Sequence, residues 1–330
     1  MILDGGMPSD GLSLLHAGRR EIHVLQTILV LTLLATVCAS AQAQSYEQLE
    51  KWCHDDKATD DQTIQGCSAV IASGRESGEK LARVYYDRGL ALLNRDQLGP
   101  AIEDFDEAIR LNPNLADAFS SRGDAYRLSN DPNHAIADYD KATELKPDDA
   151  SAFKGRGLVF AEQSQYFYAI QEYDQAIKLD PTDADTFNNR GNAHANEKEY
   201  DLALLDFDQA LKLKPDFALA FNNRGIVFDN LGQTSRAVED YDRAIALDPN
   251  YGDAFNNRGI ADLNLGRLDA AMADFNNALR IDPKKASSLF GRGVAKRRMG
   301  DTAGGDADIA AAKALSADVT DGMAAAGVRP

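Results

Sequence analysis

Residues 184–217 read ADTFNNRGNAHANEKEYDLALLDFDQALKLKPDF, and residues 218–251 read ALAFNNRGIVFDNLGQTSRAVEDYDRAIALDPNY. Laid together without a gap, they share Phe-Asn-Asn-Arg-Gly near the start, an alanine and an aromatic in the second half, and a proline near the end. Outward from this pair the dipeptide Arg-Gly recurs every 34 residues, seven times, with glycines at Gly89, Gly123, Gly157, Gly191, Gly225, Gly259 and Gly293. An aromatic stands four residues before the first six (Tyr85, Phe119, Phe153, Phe187, Phe221, Phe255), and Leu289 takes that place in the seventh. Pro113, Pro147, Pro181, Pro215, Pro249 and Pro283 close the first six units. Self-similarity at this period marks a helical solenoid, whose product is surface rather than a catalytic cleft.

With the glycine as position 8, the units start at Ala82, Ala116, Ala150, Ala184, Ala218, Gly252 and Ala286. Small or apolar residues at positions 4, 8 and 11 make one face of a first helix. Position 11 is the loosest, with His194, Asp262 and Lys296 as exceptions. Positions 20, 24 and 27 repeat the spacing in a second helix, with alanine, Phe or Tyr, and alanine in the first six units. Two such helices joined by a short turn pack antiparallel. Glycine at 8 and alanine at 20 permit close approach, and the proline at 32 ends the pair.

This pattern resembles the tetratricopeptide repeat (TPR) family. The resemblance covers residues 82–318 and implies an all-α, right-handed superhelical solenoid of about seven helix-turn-helix repeats, with a degenerate N-terminal half-repeat. It also implies a scaffold that binds other proteins rather than an enzyme. One departure is systematic: arginine fills position 7, where the family usually has leucine. Acids at position 23 (Asp104, Asp138, Glu172, Asp206, Asp240, Asp274) and at position 25 (Asp106, Asp140, Asp174, Asp208, Asp242) are its candidate partners. They predict a ladder of Arg–carboxylate pairs within the repeats; the alternative is that the arginines snorkel to solvent.

The ends read differently. Arg19 and Arg20 precede an apolar run over residues 24–37, followed by the small residues of 38–43. That order predicts a signal peptide over residues 1–43, cleaved after Ala41 or Ala43, with Met7 an alternative start. The run is short for a membrane anchor. A lipid attached at Cys38 is disfavoured because Val37 replaces the small residue a lipobox needs. Removal of the segment leaves Cys53 and Cys67, an even pair that predicts a disulfide in an oxidising compartment such as the periplasm, stapling a cap over residues 44–81. In the resemblance, Cys67 takes the place of a position-24 aromatic; two free buried thiols are the alternative. The seventh unit decays (Gly305, Ile309 and Ala317 at positions 20, 24 and 32), and residues 319–330 read as a small-residue tail.

The chain carries 52 acids against 35 bases, net −17. A field of that sign opposes nucleic acid and anionic lipid as general partners. The acids of the second helices read as a solvated outer face. No phosphate loop, nucleophile elbow or zinc-like spacing occurs, so no catalytic residue, metal or cofactor is expected.

In the family, first helices line a concave groove through positions 2, 5, 6, 9, 12 and 13. Units four to six place asparagine at positions 5, 6 and 13: Asn188, Asn189 and Asn196; Asn222, Asn223 and Asn230; Asn256, Asn257 and Asn264. Stacked, they make rows of carboxamides suited to the N–H and C=O groups of an extended peptide. This is similar to the asparagine ladder in the repeats of O-linked N-acetylglucosamine transferase, a likeness that extends to Asn189, Asn223 and Asn257. Repeat-to-repeat hydrogen bonding is the competing explanation. Lys154 is followed by Leu158, so the carboxylate clamp of chaperone-binding relatives is missing. Lys296, Arg297 and Arg298 form a possible basic patch for a partner's carboxylates. The expected function is a cell-envelope protein-interaction scaffold, with the sensing or regulatory subunit of an envelope complex as the alternative. Neither the partner's identity nor the oligomeric state is legible.

Overall fold

A computed structural model describes residues 45–329; the expected signal peptide, Met7 and Cys38 lie outside them. Among the described residues there are seventeen helices and no strand. The chain divides into two compact bodies between Pro113 and Asn114. The first holds α1 (Tyr46–His54), α2 (Asp60–Ser73), α3 (Gly78–Asn94) and α4 (Leu98–Leu111). The second holds six further pairs: α5 (Ala116–Leu128) with α6 (Pro132–Leu145), α7 (Ala150–Glu162) with α8 (Tyr166–Leu179), α9 (Ala184–Asn196) with α10 (Tyr200–Leu213), α11 (Ala218–Asn230) with α12 (Thr234–Leu247), α13 (Gly252–Asn264) with α14 (Leu268–Ile281), and α15 (Ala286–Arg298) with α16 (Thr302–Leu315). It ends in α17 (Val319–Ala325).

Within a repeat the helices meet through the residues the period singles out. A Cβ added to Gly225 would stand 2.7 Å from Cε1 of Tyr241, so position 8 must be glycine for the position-24 ring to seat. Phe105, Tyr139, Tyr173, Phe207 and Phe275 have no exposed surface. Burial of each contributes about 2–3 kcal/mol. Position 15 turns the chain between the helices through left-handed backbone: Asp96, Asn130, Ser164 and Lys198 have φ near +60°, and glycine takes over at Gly232, Gly266 and Gly300. A side chain there is strained by about 1 kcal/mol.

The arginine ladder is present, with one correction to its wiring. Each position-7 arginine grips the position-23 acid of its own repeat: Arg190 reaches Asp206 at 2.6 and 2.9 Å, Arg224 reaches Asp240 at 2.7 and 2.8 Å, and Arg258 reaches Asp274 at the same two distances. The position-25 acid comes instead from the preceding repeat: Arg190 Nη1 donates to Asp174 at 2.6 Å and Arg224 Nη1 to Asp208 at 2.6 Å. Arg156 meets Asp140, and Arg258 meets Asp242, in the same way. The side chains at 23 and 25 lie two apart on a helix and point in different directions, so one faces its own first helix and the other the next. The ladder therefore bridges repeats as well as helices.

Arg224 and Arg258 are held above the ordinary guanidinium value by their hydrogen bonds to Asp240 and Asp274, against the opposing effect of burial. The position-4 aromatic completes the set: Arg156, Arg190, Arg224 and Arg258 stand 5.3–5.7 Å from the rings of Phe153, Phe187, Phe221 and Phe255. Buried ion pairs add little net stability against apolar packing, but breaking one strands its partner at a cost of several kcal/mol.

The N-terminal cap is a shortened helix pair, α1 and α2. Cys53 and Cys67 are disulfide-bonded, with Cα atoms 4.6 Å apart, and pack with Val70 and Val84. Thr59 and Gln62 form a reciprocal capping box that starts α2. Arg88 Nη1 donates to Ser68 Oγ at 3.0 Å, the place held by a position-25 acid elsewhere. That bond puts Cys67 in the position-24 slot, as the resemblance implied. At the other end, part of the expected tail folds as α17, because Val319, Met323 and Val328 carry enough apolar surface to join the core of the last repeats.

Candidate functional site

The asparagines of repeats four to six are brought together by α9, α11 and α13. At position 5, Asn188, Asn222 and Asn256 are buried; at position 6, Asn189, Asn223 and Asn257 are half-buried; at position 13, Asn196, Asn230 and Asn264 face outward. Positions 5 and 6 form one directional chain of hydrogen bonds. Ser288 Oγ donates to Asn256 (2.8 Å), Asn256 to Asn257 (3.2 Å), Asn257 to Asn222 (3.0 Å), Asn222 to Asn223 (3.4 Å), Asn223 to Asn188 (3.1 Å) and Asn188 to Asn189 (3.4 Å). Position 6 of repeats five and six thus donates to position 5 of the repeat before. Position 5, being buried, follows the competing explanation: its carboxamides tie one repeat to the next. Position 6 keeps one N–H and one lone pair beyond these bonds, oriented by them.

A stripe on α11 gives this face its character. Leu219, Asn223, Ile226 and Asn230 fall at i, i+4, i+7 and i+11, on one side of the helix. Leu219 is 42% and Ile226 38% exposed. Apolar side chains left in solvent on either side of a fixed carboxamide offer side-chain contacts and main-chain hydrogen bonds together. Asn196 instead donates to Asn192 O of its own helix (2.8 Å), and Asn264 to the backbone carbonyl of Ala326 (2.9 Å).

The three cations at the end of α15 do not make one open patch. Lys296 Nζ lies 2.8 Å from Asp308, Arg297 Nε 3.4 Å from Asp306, and Arg298 Nη1 donates to Leu263 O at 3.0 Å. Consecutive residues of a helix diverge by about 100°, so each finds a different acceptor. Asp308, shared by Arg292 and Lys296, is held below the usual carboxylate range; burial opposes this, and the two cations outweigh it.

In the first body a cavity of about 360 Å³ lies against positions 2, 6 and 13 of repeat one (Arg83, Asp87, Asn94), beside His54, Asp55 and Asp60. His54 Nδ1 and Asp87 Oδ2 are 3.0 Å apart, and Arg83 Nε is 2.7 Å from Asp87 Oδ1. Cys53 lies close to His54 and Asp87, but its sulfur is bonded to Cys67 and offers a metal no thiolate.

One surface escaped the sequence reading. Phe167 and Leu205 are each 66% exposed, and Tyr168 and Leu202 are exposed beside them in sequence, on the consecutive second helices α8 and α10. The acid-rich outer face is interrupted there. A signal existed: position 22 is small or polar in the other repeats (Glu103, Ala137, Gln171, Glu239, Ala273, Ala307) but Leu205 in the fourth. Among the described residues no helix is long and apolar enough to cross a membrane.

Models of the tetratricopeptide repeat match residues 82–115, 184–217 and 218–251, and a further one residues 252–285; a model described as TPR repeat matches 123–164 and 157–198. Together they span more than half of the chain. Among solved structures, pilF of Pseudomonas aeruginosa is 21% identical, over 64% of this chain and 97% of its own, with a TM-score of 0.57. PilW, a widely conserved type IV pilus biogenesis factor, is 20% identical, over 61% of this chain and 93% of its own, with a TM-score of 0.56. A tetratricopeptide repeat protein from Parabacteroides merdae is 17% identical, over 75% of this chain and 99% of its own, with a TM-score of 0.59. At these identities the likeness concerns the fold. No curated protein matches the sequence.

Proposed function

Since the chain belongs to the tetratricopeptide repeat family, whose members are protein-interaction scaffolds, we propose that it binds an extended segment of a partner protein along the first helices of repeats four to six, in the cell envelope. The observation that carries this reading is the stripe on α11, where exposed Leu219 and Ile226 flank Asn223. The hydrogen-bond chain fixes Asn223 before a ligand arrives, so little rotamer entropy remains to be lost on binding. The Cys53–Cys67 disulfide and the leader-like sequence of residues 1–43 support an exported protein in an oxidising compartment.

The test is capture of partners from envelope extracts by the mature protein, beside a Leu219→Asp, Ile226→Asp variant. Both side chains reach solvent, and the comparison is made once the variant's thermal midpoint is matched to the wild type's. The reading requires that proteins held by the wild type be lost with the variant; equal capture by both would remove function from this face. The sensing alternative has one observation in its favour, the polar cavity beside His54 and Asp87. A small molecule that raises the melting temperature of the wild type but not of an Asp87→Asn variant, with no protein captured, would favour it.

A further inference from the structure

An eighth repeat would begin at residue 320, one period after Ala286, and its first helix would stack on the second helix of repeat seven. α17 starts at Val319 and touches that helix through Ile309 and Ala312, but it packs more extensively on α15, the first helix of repeat seven. Val319, Met323 and Val328 are buried in a cluster with Leu263, Phe290 and Val294, with Ile260 and Leu289 packed alongside. Asn264 Nδ2 donates to Ala326 O, and Gly327, at φ +81°, lies so close that an added Cβ would be 3.1 Å from that nitrogen. The segment has turned onto the first-helix face of repeats six and seven. Ile260 and Asn264 are positions 9 and 13 of repeat six, the counterparts of Ile226 and Asn230 in repeat five. The pair that repeat five leaves open is covered in repeat six by a main-chain carbonyl and apolar side chains.

We propose that this seat is a peptide site whose resident occupant is residues 319–329 of the same chain, and that its external ligand is a partner segment of like chemistry. That segment carries apolar side chains at i, i+4 and i+9, the spacing of Val319, Met323 and Val328, on a short helix, and then presents a backbone carbonyl to Asn264. The inference rests on the reading that first helices bind peptide, and adds where, in what conformation and against which competitor. The resident's apolar side chains are buried, but the seat beside them is not filled. A cavity of about 330 Å³ remains between Ala286, Ser287 and Ser316 on one side and Met323 and Ala326 on the other. Residues 324–327 are Ala-Ala-Ala-Gly, too small to fill it. A bulkier external segment competes by filling that space, and binding releases the resident.

The experiment uses a fluorescein-labelled synthetic peptide of residues 317–330, read by anisotropy against the full chain and against a chain ending at residue 316. The tethered segment competes at an effective concentration in the millimolar range, so the shortened chain is expected to bind at least ~10-fold more tightly. Asn264→Ala in the shortened chain loses one hydrogen bond and weakens binding about fivefold. Leu219→Asp with Ile226→Asp in the shortened chain leaves the peptide's affinity unchanged. A failure of the repeat-five reading in partner capture is therefore distinguishable from a failure here. Should shortening unfold repeat seven, full-length Met323→Asp, which releases the segment without removing it, takes its place with the same expectation. A folded, released chain that does not bind the peptide overturns the proposal, as does equal binding by the intact chain or indifference to Asn264→Ala.

Discussion

The two ends of the repeat array meet the same need by different chemistry. A terminal repeat has a neighbour on one side only, so its outer face must be closed. At the N-terminal end the closure is covalent: α1 is nine residues long, buries little, and is held by the Cys53–Cys67 bond. At the C-terminal end it is noncovalent: α17 is seven residues long and is held by three apolar side chains and the Asn264 hydrogen bond. A disulfide makes a permanent stopper, whereas a short apolar segment makes one that can leave. The difference teaches that one end is closed by a bond and the other by packing and a single hydrogen bond, which is what the proposed exchange requires.

The largest effect that would break this comparison is at the staple. Cys67→Ser removes a 14-residue closure, worth about 3 kcal/mol, and leaves α1 unanchored. Trp52, the single tryptophan, sits beside Cys53 and reports it: its emission should shift red and its unfolding midpoint fall, while the melting of residues 114–329 is unchanged. A Trp52 transition that ignores reduction would show the cap to be held by packing alone. Next is Met323→Ala, expected to destabilise the seat of α17 by about 2 kcal/mol. Faster amide exchange confined to residues 286–298 and 319–328 checks it, and exchange accelerated through repeat five would mean that α17 is not a separable stopper.

A smaller effect sharpens the contrast between the last repeat and the interior. Arg292 has Asn276 where interior arginines have a second acid, and Asp308 must serve both Arg292 and Lys296. Because the folded pKa of Asp308 is depressed, its stabilisation is present above the unfolded value of about 4 and is lost as pH falls through the lower folded value. Asp308→Asn should therefore melt earlier than wild type near pH 6, with the gap closing toward pH 3; a constant gap would assign the loss to packing. The smallest is a gain: Lys198→Gly relieves left-handed backbone at φ +63° and should raise stability by about 0.5–1 kcal/mol, read from the thermal midpoint. Gly232, already in that conformation, shows that the turn accepts glycine.

Most of the architecture was legible because each signature residue answers a local demand. Gly225 must face Tyr241, and Ala237 and Ala244 must let two helices close; such demands recur every period and reinforce one another. The direction of the ladder was not, since the sequence says that Asp208 and Asp206 are both near an arginine but not which repeat's. That depends on how far one pair is rotated against the next. The fate of Asn188, Asn222 and Asn256 was hidden for the same reason: a carboxamide that binds peptide and one that ties repeats look alike in sequence. The path of α17 was illegible because a periodic reading predicts continuation, whereas the segment bends onto repeats already made. Leu205 was visible as a departure from the small and polar residues at its position, but the acidic balance of the second helices concealed it.

The most direct measurement of the central claim is hydrogen exchange of the full chain with and without a captured partner peptide. First-helix recognition predicts protection concentrated in residues 218–230 and 252–264, around Asn223, Ile226 and Asn257. Protection confined to residues 166–179 and 200–213, the helices of Phe167 and Leu205, would contradict it and move the interface to the second helices.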